Sequence, residues 1–136
     1  MIAVDWGTSS LRAYRLDDTG AVCARTAAPL GIMQVTGGAF AQALESQIGD
    51  WLRAGETRIL MSGMIGARQG WVEAPYCECP AGFPQIAAHL RTVAWGTEGE
   101  AIATIPRGFY LRPLFTGAIL GDPRAMPASS GAGRRA

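Results

Sequence analysis

The 136-residue sequence contains no lysine and no asparagine. Without lysine, neither a Walker-type phosphate loop nor a Schiff-base mechanism can operate on this chain. Any bound phosphate must then be held by backbone N–H groups, hydroxyls, arginine or a metal ion. Histidine occurs once and cysteine three times. The odd cysteine count shows no disulfide framework and suits a reducing, cytoplasmic setting. No stretch approaches the ~18 uninterrupted apolar residues of a membrane span, and the N-terminus has no basic region leading into a long apolar run. Neither a membrane nor a secretion route is expected.

Apolar residues make up 49% of the chain, enough for the core of one domain or one lobe. The net charge of +1 hides an asymmetry: residues 1–106 carry seven arginines and ten acids, whereas 107–136 carry five arginines and only Asp122. The end, MPASSGAGRRA, is small and basic, as flexible tails are. Solvation explains that charge better than nucleic-acid binding, so no nucleic-acid partner is expected.

The pattern predicts strands at Met1–Val4, Leu11–Leu16, Ala21–Arg25, Arg58–Met61 and Ala101–Ile105. It predicts a helix from Gly38 to Arg53, with Phe40, Leu44, Ile48, Trp51 and Leu52 on one face and Gly55 stopping it. A shorter helix is expected over Pro84–Val93, with Ile86, Leu90 and Val93 in one stripe. Asp17-Asp18-Thr19-Gly20 marks a turn, and Pro29-Leu30-Gly31-Ile32 a connecting loop. Three antiparallel strands followed by a crossover to parallel ones make an α/β mixed sheet with packed helices. By analogy this is a ribonuclease-H-like layout, one lobe of an actin-like ATPase fold.

In MIAVDWGTSSLRAYRL, a buried strand ends on an acid and turns through a glycine and three hydroxyl residues. Such a turn can hold phosphate oxygens through Gly7, Thr8, Ser9 and Ser10, with Arg12 neutralising charge and Asp5 holding Mg²⁺ through water. The same residues also suit a tight hairpin in which Asp5 caps Gly7 and Thr8. In SGMIGARQGW, Ser62, Gly63 and Met64 open a glycine-rich loop. Arg68 offers a fork for a carboxylate, Gln69 a donor and acceptor, and Trp71 a flat face for a sugar. Glu73 and Tyr76 could add hydrogen bonds. The alternative is a surface loop with Trp71 packed on the core and Arg68 paired to Glu73.

Cys77-x-Cys79 lacks converging partners for zinc, since Cys23 and His89 are the only other candidates. His89 lies off its stripe, as a surface residue would. A two-metal nuclease would use Asp5 and Glu45 but finds no acid at Ser62-Gly63.

Three stretches in order, MIAVDWGTSSLRAYRL, PLGI and LMSGMIGARQGWVEAPYCECPAG, resemble the N-terminal part of 2-dehydro-3-deoxygalactonokinases. The resemblance covers residues 1 to about 106 and implies a kinase lobe over 1–106. It implies ATP and Mg²⁺ as cofactors, and transfer of the γ-phosphoryl group to the 6-hydroxyl of a keto-deoxy sugar acid. Asp5, Gly7, Thr8, Ser9, Ser10 and Arg12 would serve the ATP phosphates and metal. Ser62, Gly63, Met64, Arg68, Gln69 and Trp71 would serve the substrate. No aspartate is placed to act as the catalytic base. Family members are about twice this length, and residues 107–136 do not match the expected continuation. The expectation is therefore a truncated or frame-shifted kinase, or a noncatalytic remnant that folds or associates; homo-oligomer formation is left open.

Overall fold

A computed structural model describes residues 1–77, 80–95 and 100–104. Its chain forms one six-stranded sheet. Strands β1 (Ile2–Trp6), β2 (Leu11–Leu16) and β3 (Val22–Ala28) make an antiparallel meander. Helix α1 (Phe40–Arg53) carries the chain across to β4 (Ile59–Gly63), which pairs parallel to β1. Helix α2 (Phe83–Ala88), β5 (Arg91–Trp95) and β6 (Glu100–Thr104) follow. The strand order is β3-β2-β1-β4-β6-β5, with β6 parallel to β4 and β5 antiparallel to β6.

Period-two alternation decides which face is buried. Ile2, Val4 and Trp6 of β1, Leu11 and Ala13 of β2, and Ile59 and Met61 of β4 form one apolar face. Phe40, Leu44 and Ile48 of α1 cover it at helical spacing, and Ile32 and Ile65 close its rim. Each large aliphatic side chain buried there contributes about 1.5–3 kcal/mol. Gly37 and Gly38 precede α1 with φ of +61° and +73°, and Gly55 ends it at +98°. These left-handed conformations cost glycine little and other residues more. Asp5, Arg12 and Ser62 alternate to the opposite face, where Asp5 and Ser62 are half-buried and Arg12 is exposed.

The expected elements from Met1 to Met61 form, with β3 running on to Ala28 and α1 starting two residues late. Correction is needed farther along. The second helix stops at Ala88, and Val93 belongs to a strand. His89 ends that helix with Nδ1 2.7 Å from the Gln85 carbonyl oxygen. The helical stripe through Leu90 and Val93 competes with the alternation of RTVAW, and pairing with β6 decides for the strand. Cys79, Ile105 and the tail 107–136 lie outside the described residues. Among the described residues no helix is long and apolar enough to cross a membrane.

Candidate functional site

Sheet register assembles the site. Asp5 sits directly across from Arg12 on β2 and from Ser62 on β4. Arg12 Nη1 donates to Asp5 Oδ2 at 3.2 Å, and Ser62 Oγ donates to the Val4 carbonyl at 3.4 Å. The hairpin is tight, but Asp5 does not cap Gly7 or Thr8. Its carboxylate answers to a guanidinium and remains partly open to solvent, with 29% of the side chain exposed.

The turn after β1 is closed by one hydrogen bond, Gly7 N–H to the Ser10 carbonyl at 2.9 Å. Its carbonyls are drawn the other way. Ile32 N–H donates to the Gly7 oxygen at 3.0 Å and Met33 N–H to the Thr8 oxygen at 3.2 Å. No described residue bonds the N–H groups or hydroxyls of Thr8, Ser9 and Ser10. The carbonyls of Gly7, Thr8 and Ser10 are thus occupied while the N–H groups of Thr8, Ser9 and Ser10 have no partner among the described residues, a combination suited to an oxyanion.

Gly63, the last residue of β4, has φ +97°. A Cβ there would lie 2.8 Å from the Trp6 carbonyl oxygen and 3.3 Å from Asp5 Oδ1. Its backbone therefore abuts the carboxylate so closely that only glycine fits. From Gly63 the chain enters a single 3₁₀ turn, Met64–Gly66, and folds back on itself. Gly70 N–H reaches the Ala67 carbonyl at 2.8 Å and Trp71 N–H the Ile65 carbonyl at 2.9 Å. Arg68 and Gln69 occupy the tip of that turn, both exposed. Arg68 makes no pair with Glu73, nor with any other described residue.

Trp71 is half-buried with one face stacked on Phe40, centroids 6.2 Å apart at 17°. Phe40 in turn meets Trp6 edge-on at 5.9 Å and 76°. A row of three rings thus ties the second loop to β1. Met64 packs against the same core. Tyr76 and Glu73 are exposed. The structure brings Asp5, Arg12, Ser62 and Gly63 together; Arg68 and Gln69 stand on the loop that follows β4, at the end of the sheet where β1 also ends.

Two features escaped sequence reasoning. The PLGI stretch buttresses the turn rather than merely connecting elements, and Gly63 makes room for Asp5 rather than for a ligand alone. A proline-glycine pair beside a hydroxyl-rich turn was the available signal. Glu45, the second acid of a nuclease, is exposed on α1, which covers the face opposite to Asp5. Among the described residues no three His, Cys, Asp or Glu side chains cluster as a metal site. Cys77 is buried and Cys23 exposed.

Asp5 can serve a metal without a second carboxylate. Magnesium keeps several waters and takes one or two carboxylates, with phosphates completing its shell. A lone, half-open carboxylate beside unpartnered phosphate donors fits that habit.

Residues 5–109 match the family model described as 2-keto-3-deoxy-galactonokinase. A probable 2-dehydro-3-deoxygalactonokinase of Rhizobium meliloti (strain 1021) is 36% identical over 91 residues, 67% of this chain and 30% of that protein. The 2-dehydro-3-deoxygalactonokinase of Escherichia coli (strain K12) is 34% identical over 105 residues, 77% of this chain and 34% of that protein. A crystal structure of a candidate 2-dehydro-3-deoxygalactonokinase from Sinorhizobium meliloti superposes with a TM-score of 0.63 at 33% identity, over 77% of this chain and 34% of that one. This chain spans about a third of the length of each of these relatives. On sequence and on fold alike, it belongs to the 2-keto-3-deoxy-galactonokinase family.

Proposed function

We propose that this chain supplies the nucleotide-phosphate side of an ATP-dependent carbohydrate kinase acting on 2-dehydro-3-deoxy-D-galactonate. The observation that carries the reading is Asp5, held between Arg12 and Ser62 beside a turn whose donors are unpartnered. In the reaction, the bond from the γ-phosphorus to the ADP oxygen breaks. A bond to the sugar acid's 6-hydroxyl oxygen forms, and the hydroxyl proton leaves. Thr8, Ser9 and Ser10 bind phosphate oxygens, Gly7 lets the backbone approach, and Arg12 offsets charge. Asp5 would hold Mg²⁺ through water; the ion supplies charge neutralisation on the phosphates.

Arg68 and Gln69 are the groups proposed to take the substrate carboxylate and hydroxyls, with Ser62, Gly63 and Met64 shaping the approach. The free face of Trp71 would stack on the sugar's C–H surface. No residue of this chain is given the role of base for the acceptor hydroxyl. The meander, crossover helix and parallel fourth strand support a ribonuclease-H-like lobe of the actin-like ATPases.

Calorimetric titration with Mg–ATP and with the keto-deoxy acid, separately, tests the reading, alongside ATP consumption with both present. Mg–ATP binding that Asp5→Asn weakens is expected. A chain that binds neither ligand overturns the proposal. Binding without turnover would make it a noncatalytic ligand-binding lobe.

A further inference from the structure

We infer that the PLGI loop is a backing plate for the phosphate turn, and that Gly31 is a positioning residue for nucleotide binding. The inference rests on the nucleotide reading above and extends it to residues that touch no ligand. Three ties join this loop to the end of β1. The Trp6 indole N–H donates to the Leu30 carbonyl at 2.8 Å. Ile32 and Met33 donate their N–H groups to the carbonyls of Gly7 and Thr8. Trp6 is fully buried and Ile32 nearly so, which anchors the plate in the core.

Between these ties the Gly31 Cα is pressed against the peptide joining Thr8 to Ser9. A Cβ at Gly31 would overlap the Thr8 carbonyl and the Ser9 nitrogen. Both partners are backbone, so neither can swing aside as a side chain would. Gly31 itself has φ −77° and ψ 175°, an extended conformation open to any residue. Close approach, not backbone conformation, therefore demands glycine here.

The chemical consequence concerns sign. A peptide turn offers an approaching anion both N–H dipoles and carbonyl oxygens, and the latter repel it. Two carbonyls of this turn are occupied from behind, by Ile32 and Met33. The peptide groups of Thr8, Ser9 and Ser10 are then held with their donors unspent. An added methyl at Gly31 must push the plate and the turn apart, freeing those carbonyls to rotate and cancel the donors.

The test uses the 136-residue chain and its Gly31→Ala variant. Dissociation constants for Mg–ATP and Mg–tripolyphosphate are measured by calorimetry, with amide exchange followed by NMR. In the wild type, the Ile32 and Met33 amides should exchange slowly. In Gly31→Ala they should exchange fast, both ligands should bind at least about tenfold more weakly, and the Leu44 and Met61 amides should keep their protection. Parallel loss with tripolyphosphate assigns the effect to phosphate rather than to adenosine.

If Gly31→Ala does not fold, Trp6→Phe takes its place. It keeps a ring in the core but removes the donor to Leu30, and should weaken both ligands about threefold. A folded variant with fast Ile32 and Met33 exchange and unchanged affinity overturns the inference and leaves the nucleotide reading standing. Fast exchange of those amides in the wild type does the same. Absence of any nucleotide binding by the wild type overturns both.

Discussion

The two ends of β1 use polar groups in opposite ways. At the start, Glu56 receives the Met1 ammonium on Oε2 and Arg15 Nε on Oε1, each at 2.9 Å. Asp17 nearby accepts from the Thr19 hydroxyl and from the Thr19 and Ala21 N–H groups. Every charge there but Asp18 and Arg58 is met by a neighbour, although the residues line an open depression of about 360 Å³. At the far end, Asp5 has one arginine, and the turn beyond it has donors with no acceptor among the described residues. A polar depression that satisfies itself offers a ligand little; a smaller turn with unspent donors offers more.

Four perturbations break or sharpen this contrast. The largest acts on both ends at once. Leu44→Ala empties the centre of the shared core and should cost about 3 kcal/mol in chemical denaturation. The melting midpoint should fall whether or not Mg–ATP is present. Next, Asp5→Asn should strike only the far end. Mg-dependent ATP affinity should fall about a hundredfold, about 2.8 kcal/mol at about 1.4 per decade, while the unfolding midpoint stays near that of the wild type. An unchanged Mg²⁺ dependence would remove Asp5 from the metal.

Gly63→Ala comes third. Its Cβ meets the Trp6 carbonyl at a left-handed φ, so about 2 kcal/mol of stability should be lost. Nucleotide affinity should fall with it, because Asp5 is displaced. The smallest effect belongs to the near end, where Glu56→Gln should leave ligand binding alone and flatten the acid limb of the stability curve. The Met1 ammonium, followed by Arg15, holds the Glu56 carboxyl below the usual carboxylate range. A depressed carboxylate stabilises fully above its unfolded-state range, and that contribution is lost as pH falls through the folded value. Asp17, lowered chiefly by the Thr19 hydroxyl, has the same sign. Melting curves from pH 7 down to about pH 3 would show it.

Legibility in the sequence followed the range of the forces involved. The meander and α1 were readable because Ile2, Val4, Leu44 and Ile48 repeat at periods set by local geometry. Asp5 stood out in the sequence because an acid ending an apolar strand is costly without a partner, and its pairing with Arg12 follows from the hairpin register. The end of α2 was not, since Leu90 and Val93 fit a helical stripe while their partner strand lies at 100–104. The backing of the turn by residues 30–33 was equally hidden. Backbone hydrogen bonds between residues about two dozen apart leave no trace in side-chain pattern. Trp71 was half legible: packing on the core was one of two expectations, and the stack on Phe40, a residue more than two dozen positions away, left no sign in the sequence.

The row of rings running from Trp6 through Phe40 to Trp71 has an optical consequence. Indole emission depends on polarity and on nearby quenchers, and on the proposed reading a sugar stacked on Trp71 would displace water from one side of the ring. Intrinsic fluorescence excited in the near ultraviolet would then shift as the second loop fills, with no dye attached. On that reading the molecule would carry its own gauge of occupancy.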